Sequence, residues 1–315
     1  MIYWVVRMTL AHVHLLLNHF PIIGTIIGLG LFIIALIAKS DHLKQASLLV
    51  FLGIAMLAFP TFLSGTAAAE EIAKLPGVSE DLIKAHQDAA LLAFIFMELT
   101  GSFAWLGLWQ FRRLSRVPRW NLTLVLLLSV VTVLLMSTTG NTGGDIRHPE
   151  IAKDMAMGPQ LTLDSVAIGA FVTKVPWMWP TCETLHFIGL CLLFGIVFLF
   201  NLRMLGVMKS VSFSALHRLL PWGILGFGIN LLTGMLFFIG ASSQYTKNGA
   251  FRWKIVLILL AGVNALYFTM FDEMWSLKPG DDAPLTAKAV ALSAIFLWVG
   301  VMYCGSMLPF IGTSF

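Results

Sequence analysis

The stretch "AHVHLLLNHFPIIGTIIGLGLFIIALIAKS", Ala11–Ser40, decides the fold. From Pro21 to Ala38 it carries no charged residue. A membrane-crossing helix needs about 20 mainly apolar residues, and this run supplies them behind a front of three histidines. Its pattern is repeated along the chain. Of 315 residues, 58% are hydrophobic and 11% are charged, with a mean hydropathy of +0.87. Soluble domains carry about 25% charged residues. The expectation is an all-α polytopic membrane protein.

Eight apolar runs are long enough to span, at approximately 14–38, 46–68, 84–111, 121–141, 180–205, 216–240, 251–274 and 287–311. Turn and charge signals separate them: "KSDHLK", "KLPGVSED", "RRLSRVPR", "GNTGGDIRHPE", "KSVS", "SSQYTKNG" and "LKPGDDAP". The longest break follows the fourth run. This predicts two four-helix transmembrane bundles, residues 1–150 and 180–315. Residues 151–179 join them, and "GPQLTLDSVAIGAFVTKVPW" within that link has the composition of a short interfacial helix. No convincing internal repeat is visible.

The net charge of +4 forms no nucleic-acid patch, and interfacial lysines and arginines account for it. Eleven of the 20 basic residues fall in the loops after the odd-numbered spans, so the total decides little. The short loop Arg112–Arg119 carries four arginines and no acid, which marks the cytoplasmic side. Glu70, Glu71, Glu80, Asp81, Asp145, Glu150 and Asp154 gather on the other side. Both termini are therefore expected in the periplasm, with the chain in a bacterial inner membrane. The N-terminus has no signal-peptide cleavage pattern, and the first span is expected to direct its own insertion. Cys182, Cys191 and Cys304 are scattered, without CxxC or CxxCH, which argues against a zinc ribbon, covalent haem and a disulfide framework.

In this topology six of the eight histidines lie near one face: His12, His14, His19, His86, His148 and His186. Imidazoles from facing helices at equal depth are the usual axial ligands of a non-covalent haem. Pro21 kinks or restarts the first helix, because it lacks an N–H and clashes with the previous turn. That bend is expected to turn His19 inward, level with His86, and these two are the expected iron ligands. His14, His148 and His186 are further candidates for ligation or for propionate contact. Two other readings stay open. Interfacial histidines also snorkel at headgroups, and histidines from several segments also bind copper or zinc.

Glu98, in "FMELTGS", lies near the middle of the third span, where carboxylates are costly and usually functional. Glu183 stands three residues before His186, hence on the same helix face. Both are candidates for a proton relay. The runs "GTIIGLG", "GILGFG" and "TGNTGG" favour close helix packing and would also admit a flat macrocycle. No GxxxxGK[ST] phosphate loop occurs. Arg252 and Lys254 either snorkel or meet haem propionates near His186. "PWMWP" at Pro176–Pro180 reads as an interfacial anchor.

"HLLLNHFP", "KAHQDAALLAF" and "GGDIRH" together resemble the pattern of an uncharacterised bacterial four-span membrane family, over roughly residues 10–150. Its domains are sometimes joined to Rieske-type modules. The resemblance implies electron transfer and points to His19, His86 and His148. "ETLHFIGLCLLFG", "NLRMLG", "LLPWGILGF", "LTGMLFF" and "FRWKIVLILLAGVNALYF" resemble a second such family, over roughly 178–275, and match it at His186, Arg203, Lys254 and Asn264. Members often carry a histidine just after "NALxF". This chain has "FTMFDEMW" there, with no histidine.

The expected function is that of a cytochrome b-like membrane subunit. It would hold haem b, exchange electrons with a quinone pool, and serve a periplasmic cytochrome or other subunits of a membrane complex. The competing readings are a non-redox anchor or assembly subunit and a metal-handling transporter.

Overall fold

A computed structural model describes residues 9–76, 78–148, 162–271 and 275–311. Glu150 and Asp154, and most of the link between the expected bundles, lie outside the described residues. The described chain is helical, without strands. Twelve α-helices follow one another among the described residues. They are α1 Leu10–Leu17, α2 His19–Ile37, α3 Asp41–Ile72, α4 Glu80–Leu114, α5 Arg119–Arg147 and α6 Ser165–Lys174. There follow α7 Met178–Met204, α8 Phe213–His217, α9 Leu220–Gly240, α10 Ser242–Lys247, α11 Gly249–Met270 and α12 Leu285–Ser306. Eight stretches are long and apolar enough to cross a membrane, α1 and α2 together forming the first and α8 joining α9 in the sixth. The short apolar helix of the link is α6.

The breaks seen in the sequence are made by helix caps. The hydroxyls of Ser40, Ser79 and Ser212 accept hydrogen bonds from the backbone N–H groups of Leu43, Leu82 and Ala215. Asn248 Oδ1 accepts from Ala250 and Phe251 at the start of α11. Such side chains satisfy amides that a helix start leaves without partners.

The chain divides into two compact units, Met1–Ser165 and Val166–Phe315. In the first, α2 packs on α3, α3 on α4, α4 on α5, and α5 returns to α2, so four spans form a closed ring. Small residues set the spacing. A Cβ on Gly101 would lie 2.3 Å from Ala55 Cβ, and one on Gly28 would lie 2.9 Å from the Phe51 ring. In the second unit α7 packs on α9 and α12, and α11 packs on α12. Gly189 and Gly226 face each other there, each leaving under 3 Å between a would-be Cβ and the other's carbonyl oxygen. This is the packing role expected of the small-residue runs.

One end of the second unit is organised by Arg203, which is fully buried. Its guanidinium donates to the carbonyls of Val211 at 2.7 Å, Lys278 at 3.1 Å and Asp281 at 3.2 Å, and lies 5.1 Å from the Phe213 ring centroid. A planar fork of donors suits three carbonyls arriving from different directions. Beside it Asp282 accepts from Lys288 at 2.8 Å and pairs with Lys209 at 3.2 Å. Those two ammonium groups, Lys288 first, hold the Asp282 carboxyl below the usual carboxylate range.

Candidate functional site

The first helix breaks at Asn18, three residues before Pro21. Asn18 keeps helical dihedrals and its N–H still reaches the His14 carbonyl, so α1 and α2 meet in a tight joint. The buried face of α2 runs Pro21, Thr25, Gly28, Phe32, Ala35. His19 stands two residues before Pro21, which is about 200° away around a helix with 3.6 residues per turn. It therefore projects from the far side and is exposed. The expected inward turn of His19 does not occur. The joint instead lays α1 against α3, and His14 is the imidazole that enters the unit.

His14 Nδ1 lies 3.0 Å from the backbone carbonyl oxygen of Thr61 on α3. His86 Nδ1, on α4, lies 3.1 Å from the carbonyl oxygen of Thr139 on α5, and 3.2 Å from Thr142 Oγ1. The two imidazoles are close enough to interact electrostatically. A carbonyl only accepts, so in both rings Nδ1 carries the proton. The neutral ring then has its lone pair on Nε2.

The same local device holds both rings. An α-helical carbonyl points along the axis toward the residue four places on. Here those residues are glycines, Gly65 after Thr61 and Gly143 after Thr139. Without side chains they leave the carbonyls open to an incoming ring. A Cβ on Gly65 would lie 2.8 Å from His14 Cε1, and one on Gly143 would lie 3.1 Å from His86 Cε1. The segments read "TFLSG" at 61–65 and "TGNTG" at 139–143, a short repeat of T-x-x-[S/T]-G. Sequence reading missed it, because three matched positions are faint within long apolar spans. On the α3–α4 side, Phe62 stacks on Phe94 with centroids 4.8 Å apart, and Phe59 tilts against the same ring at 5.8 Å.

Polar groups near the pair are partly unsatisfied. Asn18 Oδ1, one turn from His14, is buried without a hydrogen-bond partner among the described residues. Asp88, two residues from His86, is buried and accepts from the Ser165 backbone N–H at 2.9 Å and its hydroxyl at 2.6 Å. Further along α4, Glu98 Oε1 is buried and also lacks a partner among the described residues.

The remaining candidates are placed differently. His148 caps the end of α5 and is exposed. His12 is exposed and its ring nitrogen meets Thr9 Oγ1 at 3.0 Å. His186 lies in the second unit, 2.8 Å from Thr233 Oγ1, where the Lys254 charge reaches it. Glu183 is exposed and interacts electrostatically with Tyr245. Burial, then that carboxylate, pushes the Tyr245 phenol up to about 12. Arg203 and Asn264 are structural. Asn264 Nδ2 ties α11 to α12 through the Val290 carbonyl at 3.0 Å and Ser293 Oγ at 2.9 Å.

No family model matches the chain, and no curated protein or solved structure matches it.

Proposed function

We propose that the first unit holds a non-covalent b-type haem between His14 and His86, and that the chain is an electron-transfer subunit of a bacterial inner membrane. It links the quinone pool to a periplasmic carrier or a partner subunit, with both termini periplasmic. The observation that carries this reading is the matched pair of imidazoles. Each comes from a different helix, each has Nδ1–H committed to a carbonyl, and each presents Nε2 with its lone pair. A hydrogen bond from the second nitrogen fixes the tautomer and raises the basicity of a ligating imidazole.

The donor set fits a porphyrin better than a bare ion. A haem iron takes only its axial ligands from the protein. A bare zinc or copper ion takes three or four. Among the described residues no group of three His, Cys, Asp or Glu side chains gathers. When bound, the haem supplies one-electron chemistry. The protein's part is to hold the ligand tautomers, to keep glycine surfaces at Gly65 and Gly143 against the rings, and to surround the pair with lipid-soluble helices. Glu98, in the apolar part of the same helix as His86, is the proposed proton relay of this unit, and Glu183 that of the second.

His14 takes the place that the sequence pattern alone gives to His19. A pyridine haemochrome assay with iron quantification on purified protein tests the reading. One haem b per chain is expected. Fully supplemented protein that carries no haem would refute it.

A further inference from the structure

The helix pair of the first unit recurs in the second with a different outcome. In four successive pairs, the leading span sets a basic side chain on a glycine near the end of the following span. The pairs are His14 on Gly65, His86 on Gly143, His186 on Gly234 and Lys254 on Gly305. Measured from a would-be Cβ, the nearest side-chain atom lies 2.8, 3.1, 3.8 and 3.7 Å away. The second unit therefore repeats the design with lysine in the position of the second imidazole.

Three features define what this His–Lys pair accepts. First, Thr233 Oγ1 donates its single hydrogen to the Ile229 carbonyl at 2.7 Å, so it accepts from His186 Nδ1–H. His186 Nε2 is then a hydrogen-bond acceptor. Second, Lys254 is partly buried within electrostatic range of His186, and it makes no hydrogen bond or ion pair among the described residues. It offers up to three donors and a positive charge. Third, aromatic rings stand beside His186: Phe237 lies 5.8 Å from its ring and 4.7 Å from Trp179.

In contrast to the closed ring of the first unit, α9 and α11 are not packed along each other among the described residues. At one end Phe238 of α9 stacks on Phe251 of α11 at 5.8 Å, and Tyr245 of α10 tilts against the same ring at 4.9 Å. A flat, lipid-soluble ligand with one hydroxyl or carbonyl oxygen for Lys254 and a hydroxyl for His186 matches this acceptor, donor and aromatic set.

We propose that the second unit binds a quinol or quinone headgroup between His186 and Lys254, a site that rests on the electron-transfer reading for its purpose but not for its geometry. His186 Nε2 accepts from a quinol hydroxyl. Lys254 Nζ donates to the oxygen across the ring. An anionic phospholipid is the competing occupant, since a lone ammonium also attracts a phosphate.

The test titrates a short-chain ubiquinone and a short-chain menaquinone, each as quinone and as dithionite-reduced quinol, into the full-length detergent-solubilised protein by calorimetry. Saturable binding of one of them is expected. Lys254→Met and His186→Phe should each weaken it about tenfold or more, as expected for loss of a hydrogen bond to a charged or buried group. Lys247→Met, an exposed lysine bonded to Ser243, should leave it unchanged, and thermal melting checks that each variant is folded. Lys254→Arg keeps the charge and should retain part of the affinity. The double variant His14→Ala/His86→Ala should bind quinone or quinol normally even if the haem reading fails. Absence of saturable binding, or affinities unchanged in both Lys254→Met and His186→Phe, would overturn the proposal. So would loss of co-purifying anionic phospholipid in Lys254→Met without any loss of quinone or quinol binding.

Discussion

His86 Nδ1 lies 3.1 Å from the carbonyl oxygen of Thr139, and the residue four places after that threonine is Gly143. The glycine leaves room for the ring, because a Cβ there would lie 3.1 Å from His86 Cε1 and 3.3 Å from Nδ1. The same relation joins His14, Thr61 and Gly65.

The first prediction follows from that contact. Gly65→Ala places a Cβ 2.8 Å from the His14 ring, and Gly143→Ala places one 3.1 Å from the His86 ring. Each should displace its imidazole, loosen the carbonyl bond and lower haem content in the purified protein. Gly144→Ala is the control, since a Cβ there meets nothing within 4 Å. Equal haem content in all three variants would remove the role assigned to the glycines.

Glu98 sets stability against function. Its Oε1 is buried in an apolar span without a hydrogen-bond partner among the described residues. Glu98→Leu should therefore raise stability by about 1–3 kcal/mol, the cost of an unsatisfied buried polar group. Turnover should fall if the carboxyl relays protons. A melting temperature lowered by the substitution would show that Glu98 has a stabilising partner.

Arg203 predicts the opposite sign. Replacing it by methionine leaves three carbonyls without their charged donor, and should cost about 3 kcal/mol in thermal or denaturant unfolding. Lysine keeps the charge but cannot fork to three acceptors, so Arg203→Lys should recover only part of the loss.

Asp282 carries a pH dependence. Its folded carboxyl titrates below the ordinary value, so the unfolded chain binds a proton more readily. The stabilisation is complete above the unfolded value of about 4, and is lost as pH falls through the lower folded value. The melting temperature of the wild type should drop across that acidic window. Asp282→Asn should melt lower at neutral pH and show a shallower drop. Parallel curves for the two proteins would contradict this.

The spans were legible because apolar length alone identifies them, and the serine and asparagine caps marked where they begin. Ser40, Ser79, Ser212 and Asn248 all lie in breaks visible in the sequence. That His14 and His86 come near each other was legible for the same reason, since depth follows from position along a span. Which histidine enters the unit was not. That depends on rotation about the helix axis, and the joint at Asn18 sets the rotation of α2 by its buried face from Pro21 to Ala35. His19, two residues before Pro21, therefore stays exposed, and the inward ring is that of His14, five residues earlier. The partners were hidden as well, because His14 and His86 are held by backbone carbonyls, which no residue type announces. The one trace was the pair of segments "TFLSG" and "TGNTG".

The most direct test of the central claim is the reduced-minus-oxidised absorbance spectrum of purified His14→Ala, His86→Ala and His19→Ala proteins beside the wild type. The account predicts low-spin haem b bands in the wild type and in His19→Ala, and their loss in His14→Ala and His86→Ala. Bands that persist without His14 and vanish without His19 would contradict it.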